Sequence, residues 1–127
     1  MKRRACMSAL AGASLAAQAQ TPAARPIQIH VDLSVDPARE KQMLQHFNKD
    51  FRPAASRFPG YIDVKIIKLR KAFVGKAPEG MNYRFVLQYE SEELRQKWIA
   101  SDIHQKVWGM IEATLRHKSY DVLLFDV

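Results

Sequence analysis

The side chains best suited to chemistry in this chain lie on one stretch, Ser91 to Leu115. Trp98, His104 and Trp108 fall there together, with His104 and Trp108 one helical turn apart. Two indoles and an imidazole on one helix could line a pocket for a flat apolar molecule. The same residues could equally serve as ordinary core. A second pair, His30 and Asp32, shares the polar face of an alternating segment and could form an acid–base device. Exposure to solvent is the favoured reading of that pair. The four histidines, His30, His46, His104 and His117, show no metal-ligand spacing. No Ser-His-Asp order and no phosphate-cradling glycine loop is present.

The rest of the chain must position these residues. The 127 residues make one domain with a small core. Lys2, Arg3 and Arg4 precede the modest apolar run Ala5 to Ala17, and Ala17-Gln18-Ala19 fits an A-x-A cleavage site. These features predict a signal peptide over residues 1–19, a disordered lead over 20–26 and a folded domain over 27–127, exported to the periplasm or beyond. Cys6 is the only cysteine and lies in the removed segment, so the mature chain has no thiol for a disulfide, a metal or a nucleophile. Loss of Lys2, Arg3 and Arg4 lowers the formal charge from +7 to +4. The remaining charges are interspersed, and no nucleic-acid partner is expected. No membrane partner is expected once the signal is removed.

Ile27, Ile29, Val31, Leu33 and Val35 alternate with polar residues and predict a half-buried strand. Asp36-Pro37 is a helix start, with Asp as cap and Pro at the first helical position. Met43, Leu44, Phe47, Phe51, Ala54, Ala55 and Phe58 follow at helical spacing, and Pro53 predicts a kinked or two-part helix. After the Pro59-Gly60 turn come a strand from Tyr61 to Arg70 and a loop from Lys71 to Asn82 carrying Phe73 and Val74. That apolar pair reads as a lid or, by preference, a dimer contact. A third strand runs from Tyr83 to Glu90. Ser91 caps the helix bearing Leu94, Trp98, Ile103, Val107, Ile111 and Leu115 as one stripe, and Ser101-Asp102 is a plausible break in it. The last strand, Tyr120 to Val127, is apolar on both faces and is expected to be buried on both.

The order β-α-β-β-α-β predicts an α+β, ferredoxin-like antiparallel sheet with both helices on one face. The other face should be apolar and covered by a second copy, giving a dimeric α+β barrel.

Several motifs resemble the antibiotic-biosynthesis-monooxygenase family of the dimeric α+β barrel superfamily. They are Phe58-Pro59-Gly60-Tyr61, a Tyr-Arg-Phe strand leading to Glu90-Ser91-Glu92-Glu93-Leu94, and Trp98-x-x-Ser101-x-x-His104. The resemblance covers about Ile27 to Val127. It implies oxidation of aromatic or quinol compounds without metal or flavin, the site removing a phenolic or enolic proton so that the anion reacts with oxygen. It also implies His104 as the catalytic base, Trp98 and Trp108 as pocket walls, and Tyr61, Arg84 and Asn48 as polar contacts to substrate. The haem-degrading branch of the family needs a histidine ten residues after its helix tryptophan, where this chain has Trp108, and a first-strand asparagine where it has Val31. Haem degradation is therefore disfavoured and no cofactor is expected, with haem or porphyrin binding left open. The readings carried forward are an exported oxygenase, a non-catalytic periplasmic protein binding a small molecule or haem, and a purely structural dimer.

Overall fold

A computed structural model describes residues 25–127. The expected signal peptide and most of the lead lie outside the described residues. The elements run β1 (Ile27–Leu33), a 3₁₀ turn (Pro37–Arg39), α1 (Glu40–His46), a π-helical turn (Phe47–Phe51), α2 (Arg52–Ser56), β2 (Tyr61–Lys68), β3 (Tyr83–Tyr89), α3 (Glu92–Ala100), α4 (Asp102–Glu112) and β4 (Asp121–Asp126). The strands form one antiparallel sheet in the order β2-β3-β1-β4. This is the ferredoxin-like α+β arrangement.

Local chemistry explains the element boundaries. Asp36 accepts a hydrogen bond from the Ala38 amide at 2.9 Å, capping the turn that leads into α1. Pro53 has no N–H to continue the ladder, and the chain responds one turn earlier. The Arg52 amide donates back to the Phe47 carbonyl across five residues, and the wide turn keeps the helix running. Met43, Phe47, Phe51 and Ala55 thereby stay on one buried face. Gly60 has φ +94°, and a Cβ there would lie 2.8 Å from Leu94 Cβ, so both backbone and packing demand glycine.

β1 and β3 supply the floor of the core. Ile27, Ile29, Val31 and Leu33 pair with Tyr89, Leu87, Phe85 and Tyr83, and all eight are buried beneath the helices. Val64 continues this face on β2, beyond a bulge at Tyr61–Asp63 that leaves Ile62 exposed.

Four expectations are corrected. The stripe through Ser91 to Leu115 does not hold at Ile103, which is exposed. Ser101 adopts an extended conformation (φ −76°, ψ 150°) and accepts from the His104 amide, restarting the helix one step out of phase. His104 takes the buried place instead. Asp32 is not solvated: it is buried and receives Arg84 Nε at 2.7 Å and Nη2 at 3.3 Å. β4 is exposed on both faces of the single chain, because the helices cover β3 and β1 and stop short of the sheet edge. The uncovered sheet face is also less apolar than alternation implied. Ile67, Leu123 and Phe125 flank a polar middle in which Arg84 meets Asp32 and His30 Nε2 lies 2.7 Å from Gln28 Oε1.

Candidate functional site

A cavity of about 380 Å³ opens between α3, α4 and the β1–β3 floor, beside β4. Its back wall is aromatic. Trp98, fully buried, meets Phe51 edge to face at 5.8 Å and His104 at 5.0 Å. His104 and Trp108 present nearly parallel rings, 10° apart at 6.4 Å. Phe85 closes the floor against Trp108 at 5.3 Å. The helix start at Ser101 aims this wall, since its hydroxyl accepts the His104 amide at 3.2 Å and donates to the Trp98 carbonyl at 2.6 Å.

The rim is polar. Trp108 Nε1 donates to the Tyr120 hydroxyl at 2.9 Å, which donates to Glu112 at 2.6 Å. Arg95 lines the opposite side, held by a bidentate pair to Glu92 at 2.7 and 2.8 Å. Burial, and then donation to Glu112, raise the Tyr120 phenol above its ordinary value, so it stays a proton donor at neutral pH.

His104 is 8 % exposed. Burial first, and the Arg95 cation second, push its pKa down from 6.5 to about 4, against a smaller upward pull from Glu112 and the Ile99 carbonyl. The ring is therefore neutral at pH 7 and able to accept a proton. Its Nδ1 and the Trp98 indole N–H are buried with no hydrogen-bond partner among the described residues.

Of the six residues proposed from sequence, the fold brings together three, His104, Trp98 and Trp108. Arg84 lies on the opposite sheet face in its pair with Asp32. Asn48 lies on the outer side of the first helix and donates to the Leu44 carbonyl at 2.9 Å. Tyr61 starts β2 opposite Tyr89, packed against the core and not lining the cavity. Arg95, Glu112 and Tyr120 line the cavity and went unnoticed. Glu112 had a legible signal, since His104, Trp108 and Glu112 follow at intervals of four on one helix face. Tyr120 reaches the site only through the chain reversal after α4. Among the described residues no cluster of His, Cys, Asp and Glu could hold a metal ion.

No protein-family model matches the chain, and no curated protein is similar to it in sequence. Solved structures do match it. SnoaB of Streptomyces nogalater, described as a cofactor-independent oxygenase, superposes with a TM-score of 0.64 at 12% identity, over 82% of this chain and 94% of that one. A protein of Jannaschia sp. CCS1, described as dimeric, ferredoxin-like and of unknown function, gives 0.64 at 19% identity, over 80% and 97%. A structure described as an antibiotic biosynthesis monooxygenase gives 0.59 at 13% identity, over 80% and 97%. A hydroxynitrile lyase of Passiflora edulis gives 0.65 at 10% identity, over 82% and 94%. The fold is thus the one that antibiotic biosynthesis monooxygenases share. At these identities the likeness shows the architecture, which supports more than one reaction.

Proposed function

We propose that this chain is an exported, cofactor-independent monooxygenase for a flat aromatic or quinol-type molecule, working as a homodimer. The observation that carries the reading is a neutral, buried His104 parallel to Trp108 and edge-on to Trp98, in a cavity of matching chemistry. A planar substrate stacks along the aromatic wall with a hydroxyl turned to the imidazole. His104 takes the hydroxyl proton, and Arg95 favours the anion that remains. The electron-rich anion then gives its electrons to O₂: one oxygen atom bonds to the substrate carbon and becomes its carbonyl oxygen, the other leaves as water, and the four electrons and two protons come from the substrate, so no external reductant is needed.

Magnitudes narrow the substrate class. A base of pKa about 4 facing an ordinary phenol near 10 would leave proton transfer about 8 kcal/mol uphill. An anion formed beside the ring raises the imidazole's affinity for the proton and closes part of that gap. A hydroxyl already acidified by a conjugated carbonyl closes more. The site therefore suits enols and hydroxyls conjugated to a carbonyl better than simple phenols.

Two further parts of the reading rest on other features. The exposed apolar residues of β4, Val122, Leu123, Leu124 and Phe125, at 43 to 53 % exposure, need a cover that a second copy provides, and the Jannaschia protein of this fold is described as dimeric. The basic n-region, apolar run and A-x-A sequence support export.

Oxygen consumption with a panel of quinols, naphthols and enolised diketones tests the activity. Uptake is expected with at least one acidified hydroxyl compound and is lost in His104→Ala. Uptake unchanged in His104→Ala would remove the base from His104. Tight binding of the panel, read by quenching of tryptophan emission, without any uptake would leave a binding protein and overturn the oxygenase.

A further inference from the structure

The end of β2 and the loop that follows it carry Lys68, Arg70, Lys71 and Lys76 against one acidic residue, Glu79, and Lys68 is paired with Glu40 at 2.6 Å. The loop joins β2 to β3. Its base is pinned: the Leu69 amide donates to the Asn82 carbonyl at 2.9 Å, and the Asn82 amide donates to Leu33 at 2.9 Å. The Asn82 side chain bridges the Val35 backbone, accepting from its N–H at 2.8 Å and donating to its C=O at 2.9 Å. Beyond that base the tip projects into solvent. Gly75, at φ +75° with nothing within 4 Å of a would-be Cβ, turns the chain in the open. Phe73 is 87 % exposed and Val74 is 95 % exposed, more than any other large hydrophobic residue described. The Lys71 ammonium sits 5.3 Å from the Phe73 ring, and an apolar groove between the strand end and the loop is edged by Lys68, Arg70, Lys76 and Arg84.

We infer that this loop docks the protein on an anionic lipid bilayer, Phe73 and Val74 entering the headgroup–acyl boundary while the surrounding lysines and arginine meet lipid phosphates. An aromatic and a branched aliphatic held fully in water at a loop apex lower their free energy by entering apolar surroundings. The cations next to them in the chain, Arg70, Lys71 and Lys76, select a negatively charged surface. A contact between copies centred on the same tip is the poorer fit, because a two-fold axis there sets Arg70, Lys71 and Lys76 of one chain toward the same three of the other. No helix among the described residues is long and apolar enough to cross a membrane, so the contact is peripheral. The inference goes beyond the oxygenase reading and stands without it: the loop would dock whatever the cavity binds.

Co-sedimentation of the full mature chain with lipid vesicles tests it. Binding is expected to vesicles of equal parts phosphatidylcholine and phosphatidylglycerol, to weaken with added salt, and to be absent with pure phosphatidylcholine. Phe73→Ser with Val74→Ser should weaken binding about tenfold or more. Lys71→Gln and Lys76→Gln should each weaken it about fivefold. A Phe73→Trp variant gives a readout that needs no loss of function: its added emission should shift to the blue with the mixed vesicles only. Failure of the unaltered chain to bind them, or binding untouched by the Ser pair, would overturn the inference. A Ser pair that turns dimer into monomer in the absence of lipid would also overturn it and assign the tip to a contact between copies.

Discussion

Strands β1 and β4 lie side by side in antiparallel register, Ile29 opposite Leu124 and Val31 opposite Val122. Both are rich in apolar residues. Ile29 is 3 % exposed and its neighbour Leu124 is 51 % exposed. Composition does not separate them; position does. β1 is central and lies under the helical layer, whereas β4 is the edge strand beyond the reach of α4. The helices leave a strip of apolar sheet at that edge, and the cavity opens where covered sheet gives way to uncovered sheet. The candidate site thus occupies the boundary between a packed half and an open half.

The contrast can be broken or sharpened by substitution. Trp98→Ala, in the packed half, should cost about 3–5 kcal/mol in urea unfolding, since a fully buried indole leaves a hole among Phe51, Phe58 and His104. Leu124→Ala, in the open half, should cost under about 1 kcal/mol in the monomer. In the proposed homodimer, where a second copy covers β4, the cost is expected to rise toward the Trp98 value with a midpoint that depends on protein concentration; a small, concentration-independent cost would leave β4 uncovered.

His104 sits on the boundary, and its titration reports how dry that place is. Its folded pKa, about 4, lies below the ordinary 6.5, so the unfolded chain takes up the proton first as pH falls. The stability of the neutral buried ring is complete above pH 6.5, declines below it, and is gone by about pH 4, a loss on the order of 3 kcal/mol. His30 is likewise held below its ordinary value, by burial first and the Arg84 cation second, against an upward pull from Asp32. The difference between the parent and His104→Leu in urea unfolding across pH 7 to 4 isolates the His104 part. A parallel pH dependence in both proteins would show that the cavity wall is wet.

Gly60→Ala probes the far end of the packed half. The positive φ and the clash with Leu94 predict a cost of about 1–3 kcal/mol by thermal or urea unfolding. Tyr120→Phe, at the open end, should be mildest, about 1 kcal/mol, by removing the hydroxyl between Trp108 and Glu112. Altered Trp108 emission in that variant would place the change at the rim.

Much of this molecule could be read before folding. The strand alternation from Ile27 to Val35, the Asp36 and Ser91 caps, the two-part first helix and the Gly60 turn depend on neighbours a few residues away. His104 was legible as a site residue because Trp98 and Trp108 share its segment. The phase of Ile103 was not, because the single extended residue at Ser101 rotates everything after it. The partner of Asp32 was also hidden, since Arg84 reaches it only through the register of β1 on β3. Arg95, on α3, and Tyr120, after α4, line one cavity, and no local spacing announces that.

By itself the sequence determined the elements, their order and the inward face of β1, β3 and the first helix, because period and capping are set by adjacent residues. Tertiary structure alone decided which apolar strand went uncovered, which carboxylate found its arginine, and where a dry wall meets a polar rim. Those outcomes depend on what lies above each residue in space, and that follows from strand order and from how far two helices extend over four strands.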